Sequence, residues 1–201
     1  MAICSYFSMV AILVLILFAT HLNLCLEARN ILNSETDTEF IKISCDATIY
    51  PDLCFSTFSS YASEIQASPK ILAGKSLWLT LNTTLSASKT LNELSKSQGL
   101  KPREAAALQD CVEEISDSVD EIKRSIGEMD ETEGKSFALR MSDIETWVSA
   151  ASTNEDTCTN GFSENTIDGD VKANVKSVIE EVAYMTSFTL AFVNRYAGTK
   201  N

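Results

Sequence analysis

The chain has 201 residues, with 16 Lys and Arg against 28 Asp and Glu, so it carries a formal charge of −12 at neutral pH. That surplus of acid argues against the Lys- and Arg-based counterion release by which proteins hold nucleic acid or anionic membranes. It suits a basic partner, or serves solubility alone.

Residues Met9 to Ala19, MVAILVLILFA, form an uninterrupted apolar run, and Leu26-Glu27-Ala28 places a small residue just before Arg29. This is the layout of a signal peptide, with an apolar core too short for a membrane span. The segment ahead of it has no Lys or Arg, which leaves a retained anchor as the alternative. The expectation is a secreted protein in which residues 1–28 are removed and 29–201 form one domain with a full core. No second apolar run of spanning length follows, so no membrane contact is expected after cleavage.

Removing residues 1–28 takes away Cys4, Cys25 and the sole histidine, His21, and moves the charge from −12 to −11 because Glu27 is its one charged side chain. Ser-His and Cys-His nucleophilic dyads are then unavailable, as is any His-containing zinc site. The remaining Cys45, Cys54, Cys111 and Cys158 could bind zinc, but no two stand in a C-x-x-C pair. An even set of cysteines in an oxidising compartment points to disulfides. No cofactor is implied.

Residues 38–62 read as two short helical pieces broken at Tyr50-Pro51, with Cys45 and Cys54 one on each side. Ser68-Pro69, an N-cap followed by proline, opens a helix over 70–97 whose stripe is Leu77, Leu81, Leu85, Leu91 and Leu94. Within it, Asn82-Thr83-Thr84 is an N-glycosylation acceptor. Lys101-Pro102 opens the next helix, over 103–129. Its Leu108, Val112, Ile115, Val119, Ile122, Ile126 and Met129 alternate steps of four and three, a heptad seam. Phe137, Met141, Ile144, Val148 and Ala151 repeat the spacing, which lands seven residues later on Cys158. A last helix carries Val171, Val175, Val178, Val182, Met185, Thr189, Phe192 and Tyr196, and Gly99, Gly134 and Gly169 punctuate the gaps. The predicted architecture is all-α. An antiparallel four-helix bundle spans 69–198, with the helical hairpin 38–62 ahead of it.

Four cysteines allow three connectivities. Cys45 and Cys54 flank a tight turn and pair locally. In an antiparallel pair of helices, Cys111 and Cys158 differ in register by about three residues, roughly 4.5 Å, which modest tilt closes. That bridge would enclose about 46 residues and contribute about 4 kcal/mol by restricting the unfolded chain. Cys158 is therefore read as a staple rather than a nucleophile.

Glu113, Asp117 and Asp120 fall at i, i+4 and i+7, which stacks three carboxylates on one helix face away from the seam. The staple brings Asp156, Thr157 and Asn160 towards that stripe. Three readings stand: a solvated face, a docking surface for Lys or Arg of a partner, or a carboxylate pair for acid–base catalysis. The last needs a cleft that raises one pKa, which a compact bundle without loop insertions does not offer. A carrier of a small apolar ligand would need a cavity, and closely spaced seams argue for a filled core instead.

Three stretches carry a resemblance: SCDATIYPDLCFSTF at 44–58, ALQDCVEEISDSVDEI at 107–122 and WVSAASTNEDTCTNGF at 147–162. They resemble, in order and spacing, the plant invertase and pectin methylesterase inhibitor family. The resemblance implies a four-helix bundle with a hairpin, disulfides 45–54 and 111–158, and secretion to the plant cell wall. Pectin methylesterase inhibitors of this family cover the enzyme's substrate cleft with the bundle face in a one-to-one non-covalent complex. Invertase inhibitors instead use a Pro-Lys-Phe motif before the fourth cysteine. Here the nearest match, Pro69-Lys70-Ile71, opens a different helix.

Ser149-Ala150-Ala151 and Asp156-Thr157-Cys158 look like the pectin methylesterase branch. That branch implies partner contacts at Glu113, Asp117, Asp120 and Thr157. It has an Asp where this chain has Asn160, which narrows one charged contact to a neutral hydrogen bond. The same domain precedes a catalytic part in pectin methylesterase proenzymes, and this chain, ending at Asn201, is expected to stand alone. The expectation is a non-enzymatic inhibitor of pectin methylesterase, with inhibition of invertase as the alternative. Without His in the mature chain, any pH dependence near wall pH rests on carboxylates here or on groups of the enzyme.

Overall fold

The computed structural model describes residues 34–131, 136–163 and 169–200. Residues 1–28, where a signal peptide is expected, and Gly134 lie outside the described residues. All regular structure among them is helical: α1 (34–45), α2 (Pro51–Phe58), a 3₁₀ turn (Ser59–Tyr61), α3 (Ala62–Ile65) and four long helices. The long helices are α4 (Pro69–Ser95), α5 (Pro102–Asp130), α6 (Phe137–Gly161) and α7 (Asp170–Ala197).

The expected start signals operate. The Ser68 side chain accepts the N–H of Ile71, with Pro69 at the first position of α4. The Glu104 carboxylate accepts the Lys101 N–H at 2.9 Å, holding the first turn of α5. Gln66 and Ala67 adopt φ of 51° and 52°, and this left-handed pair turns the chain from α3 into α4. Non-glycine residues adopt that region uncommonly, and the pair marks a tight reversal.

Around the bundle, α4 packs on α5 and α7, and α6 packs on α5 and α7. Two buried clusters make up the core. At one end, Ile41 and Phe58 of the hairpin and Ile65 of α3 meet Leu72, Leu77, Ile122, Ile144, Phe188 and Phe192. Phe58 stands edge-on to Phe192, with ring centroids 5.1 Å apart. At the other end, Leu91, Leu108, Cys111, Ile115, Cys158, Phe162, Val175 and Ile179 close together. The Cys45–Cys54 bridge fastens the hairpin, with Cα atoms 5.5 Å apart.

Between these ends lies a buried polar layer of Thr80, Thr84, Ser118, Glu155, Thr186 and Thr189, of which the expected stripes contained only Thr189. Two residues depart from the expected seams. Leu85 is 43 % exposed while Thr84 is buried, because α4 turns its hydroxyl residues inward at mid-bundle. On α5, Cys111 is buried, bridged to Cys158 of α6, and Val112 beside it is only half-buried.

Each hydroxyl in the layer is satisfied. The hydroxyls of Thr80 and Thr189 are 2.8 Å apart, that of Thr80 also reaches the Met185 carbonyl at 3.2 Å, and that of Ser118 reaches the Ala151 carbonyl of α6 at 3.3 Å. Thr189→Val is expected to lower the unfolding free energy by about 1 kcal/mol, while Thr80→Val with Thr189→Val costs less than the two single changes summed. Urea unfolding of the three variants checks this. Additive losses would show that the two hydroxyls do not depend on each other.

Candidate functional site

The disulfide Cys111–Cys158 joins α5 to α6 with Cα atoms 4.4 Å apart, so the three-residue register offset estimated from the sequence is taken up. On the solvent side of this bridge lies an open hollow of about 370 Å³. Ala107, Asp110 and Glu113 from α5 and Thr157 and Gly161 from α6 are among its walls. Glu113 and Thr157, 44 positions apart in the chain, thus border one depression.

The other candidate residues are arranged around it. Glu113 also borders a second open hollow, of about 480 Å³, on the α4 side, together with Asn92, Gln109, Ser116 and Asp117. Asp117 and Asp120 are exposed on the same α5 face. The Asp120 carboxylate pairs with Lys123 Nζ at 3.1 Å, an exposed i,i+3 contact of small energetic weight. The Thr157 hydroxyl donates to the Thr153 carbonyl at 2.8 Å, which leaves its lone pairs turned to solvent. Asn160 is exposed on α6 and lines neither hollow.

The flank of the stripe holds a carboxylate that periodicity alone did not single out. Glu121 accepts a hydrogen bond from Asn154 Nδ2 of α6 at 3.3 Å. Partial burial pushes its pKa above the usual carboxylate value, reinforced by Asp117 and Glu114 and opposed by Arg124. It stands where a change of protonation would be felt by Asp117.

A more deeply placed acid was also missed. Glu155 is 2 % exposed. One of its oxygens accepts the Thr186 hydroxyl of α7 at 2.6 Å, and the other is buried without a protein partner. Burial raises its pKa to about 8, against the Thr186 hydrogen bond that lowers it, with Asp156 adding a smaller upward push. The signal was available: Glu155 occupies the heptad position between Ala151 and Cys158, where a charged residue is almost never buried without a reason.

Chemically, the face offers carboxylates and a hydroxyl on rigid helices, with no nucleophile–base pair. Among the described residues no group of His, Cys, Asp and Glu could hold a metal ion. No described helix is long and apolar enough to cross a membrane.

Residues 39–192 match the family model described as plant invertase/pectin methylesterase inhibitor. A Daucus carota protein known as "21 kDa protein" is 44 % identical over 162 residues, taking in 79 % of this chain and 84 % of the carrot protein. Pectinesterase inhibitor 11 of Arabidopsis thaliana is 38 % identical over 173 residues, 84 % of this chain and 86 % of that protein. Pectinesterase inhibitor 10 of the same plant is 44 % identical over 171 residues, 84 % of this chain and 54 % of that protein. Among solved structures, a mutant form of a pectin methylesterase inhibitor from Arabidopsis superposes with a TM-score of 0.61 over 75 % of this chain and 92 % of its own, at 19 % identity. At that identity the likeness speaks to the fold.

Proposed function

The chain belongs to the plant invertase/pectin methylesterase inhibitor family, and from that premise we propose that it is a secreted, non-enzymatic inhibitor of pectin methylesterase acting in the cell wall. The observation that carries this reading is its identity of 38–44 % to proteins named pectinesterase inhibitors, over 84 % of the chain.

The inhibitor binds the enzyme one-to-one through the α5–α6 face and keeps methylated polygalacturonate out of the cleft. Glu113, Asp117 and Asp120 meet basic groups on the enzyme, and Thr157 accepts or donates a hydrogen bond beside them. Asp120 releases Lys123 at little cost, because exposed ion pairs contribute a fraction of a kcal/mol. Asn160 serves as a neutral contact at the edge. The stripe steers a basic partner before contact and fixes its orientation after it. No chemistry is supplied by the inhibitor, and no cofactor takes part.

Titration of the oxidised, purified protein against a plant pectin methylesterase, with a cell-wall invertase in parallel, tests the proposal. Esterase activity falls at near-stoichiometric inhibitor while invertase is untouched. Invertase inhibition alone would overturn the assignment. For the face itself, Asp117→Ala and Thr157→Ala are each expected to weaken inhibition by about tenfold, the loss of one interfacial hydrogen bond to a charged or polar group. Glu181→Ala, exposed on α7, should leave inhibition unchanged. If Asp117→Ala and Thr157→Ala also match the parent protein, the acidic face is only solvated.

A further inference from the structure

The outer face of α4 is unlike a solvated helix face. Ile71, Trp78 and Leu85 recur at intervals of seven and are 42 %, 52 % and 43 % exposed. Their positions align along one side of the helix, beside the buried strip of Leu77, Thr80, Leu81 and Thr84. Asn82 is exposed and falls four residues after Trp78 and three before Leu85. Those are the spacings at which helical side chains are direct neighbours, about 5–6 Å apart. The acceptor asparagine of Asn82-Thr83-Thr84 therefore sits inside the apolar stripe. The charged neighbours are already engaged: Lys75 Nζ lies 2.7 Å from Glu64 and over the Tyr61 ring, and Lys89 pairs with Glu93.

We infer that Asn82 carries an N-linked glycan whose first sugars lie on Trp78 and Leu85, so that the apolar stripe of α4 is covered by the chain's own modification. A pyranose presents C–H groups on its faces and hydroxyls at its rim. It can thus cover an indole while its polar edge stays in water, which an exposed tryptophan on a helix face otherwise lacks. Aligned apolar side chains of this kind mark a contact surface rather than scattered surface residues. Attachment at Asn82 holds the sugar there at high effective concentration, so even a weak contact is populated.

The fold also dates the modification. The Thr84 hydroxyl, the part of the acceptor motif two residues after the asparagine, is buried and donates to the Thr80 carbonyl at 2.8 Å. A transferase that must engage that hydroxyl together with the Asn82 amide cannot do so on the docked helix. The sugar is added to the extended chain as it enters the secretory pathway, before α4 packs, and becomes a surface feature afterwards.

The test uses the full chain expressed in a secreting plant host and collected from the medium, alongside Asn82→Gln and Trp147→Phe, the latter leaving Trp78 as the sole tryptophan. The parent and Trp147→Phe proteins should carry glycan mass that Asn82→Gln lacks. Quenching of Trp78 fluorescence by acrylamide should rise about twofold in the same Trp147→Phe protein made in a bacterial periplasm, which adds no N-glycan, because one face of a half-exposed ring is uncovered. A difference measurement on the parent protein, retaining Trp147, gives the same sign should Trp147→Phe fold poorly. Absence of the protein from the medium, or secreted protein without glycan mass, overturns the proposal. Glycan present with unchanged quenching overturns the seat on Trp78.

Discussion

Cys111→Ala with Cys158→Ala is expected to lower the unfolding free energy by about 4 kcal/mol, and Cys45→Ala with Cys54→Ala by about 2.5 kcal/mol. The order follows from the loops closed, with sequence separations of 47 and 9. A longer loop removes more freedom from the unfolded chain, and the folded contacts around both bridges are otherwise well buried. Urea unfolding of the oxidised parent and the two double variants measures the difference. A larger loss from the hairpin bridge would show that packing of α1 against α2, rather than loop closure, governs the outcome.

The two variants should also differ in function. The bridge Cys111–Cys158 sets the register between Glu113 on α5 and Thr157 on α6, whereas the hairpin bridge lies at the opposite end of the bundle. Inhibition of pectin methylesterase, measured where both variants remain folded, should weaken in the α5–α6 variant and persist in the hairpin variant. Equal loss in both would mean that the bundle as a whole, not this register, matters for binding.

Stability of the parent protein is expected to fall as pH rises from about 5 to about 8, by roughly 1.4 kcal/mol for each pH unit that separates the folded and unfolded titrations of Glu155. The folded-state pKa, about 8, lies above the ordinary 4.5. The folded chain therefore keeps a proton that the unfolded chain releases within that window. This contribution is fully present below about pH 4.5, shrinks across the window and is gone above about pH 8. Ionisation would leave a carboxylate buried at mid-bundle with only the Thr186 hydroxyl donating to it, which is costly in a medium of low polarity.

Glu155→Gln keeps an acceptor for Thr186 and cannot ionise, so its stability profile should be flatter across the same range and exceed that of the parent at about pH 7.5. Thermal unfolding of both proteins between about pH 5 and pH 8 decides the matter. Glu121 shifts in the same direction, so only the difference between the two profiles reports on Glu155. Parallel profiles would show that Glu155 already ionises at ordinary pH, helped by water reaching its second oxygen. A protein working at mildly acidic pH would thus be held by a carboxyl that is neutral there.

Much of this molecule was legible from local patterns. Heptad steps along α5, α6 and α7 located three long helices, and Ser68-Pro69 and Lys101-Pro102 located two of the starts, because amphipathic periodicity and capping are properties of the chain over one or two turns. Cysteine spacing with an antiparallel arrangement was enough to pair Cys111 with Cys158. The quoted motifs around Cys45, Cys111 and Cys158 led to the family, which the matched residues 39–192 bear out.

What escaped were features that depend on two or more helices at once. Leu85 fits an apolar stripe as well as Leu81 does, yet α4 turns Thr80 and Thr84 inward, where Thr80 meets Thr189 and the Met185 carbonyl of α7. Glu155 stands between polar Asn154 and Asp156 in the chain, and only α7 places Thr186 against it. The sequence alone determined the long helices, their order and the two staples, since those follow from periodicity, capping and spacing along one chain. Only the tertiary structure decided which polar side chains are buried and that Glu113 and Thr157 border one hollow. Burial and pKa are set by neighbours from other helices, and a single strand of text carries no record of how far each helix is rotated about its axis.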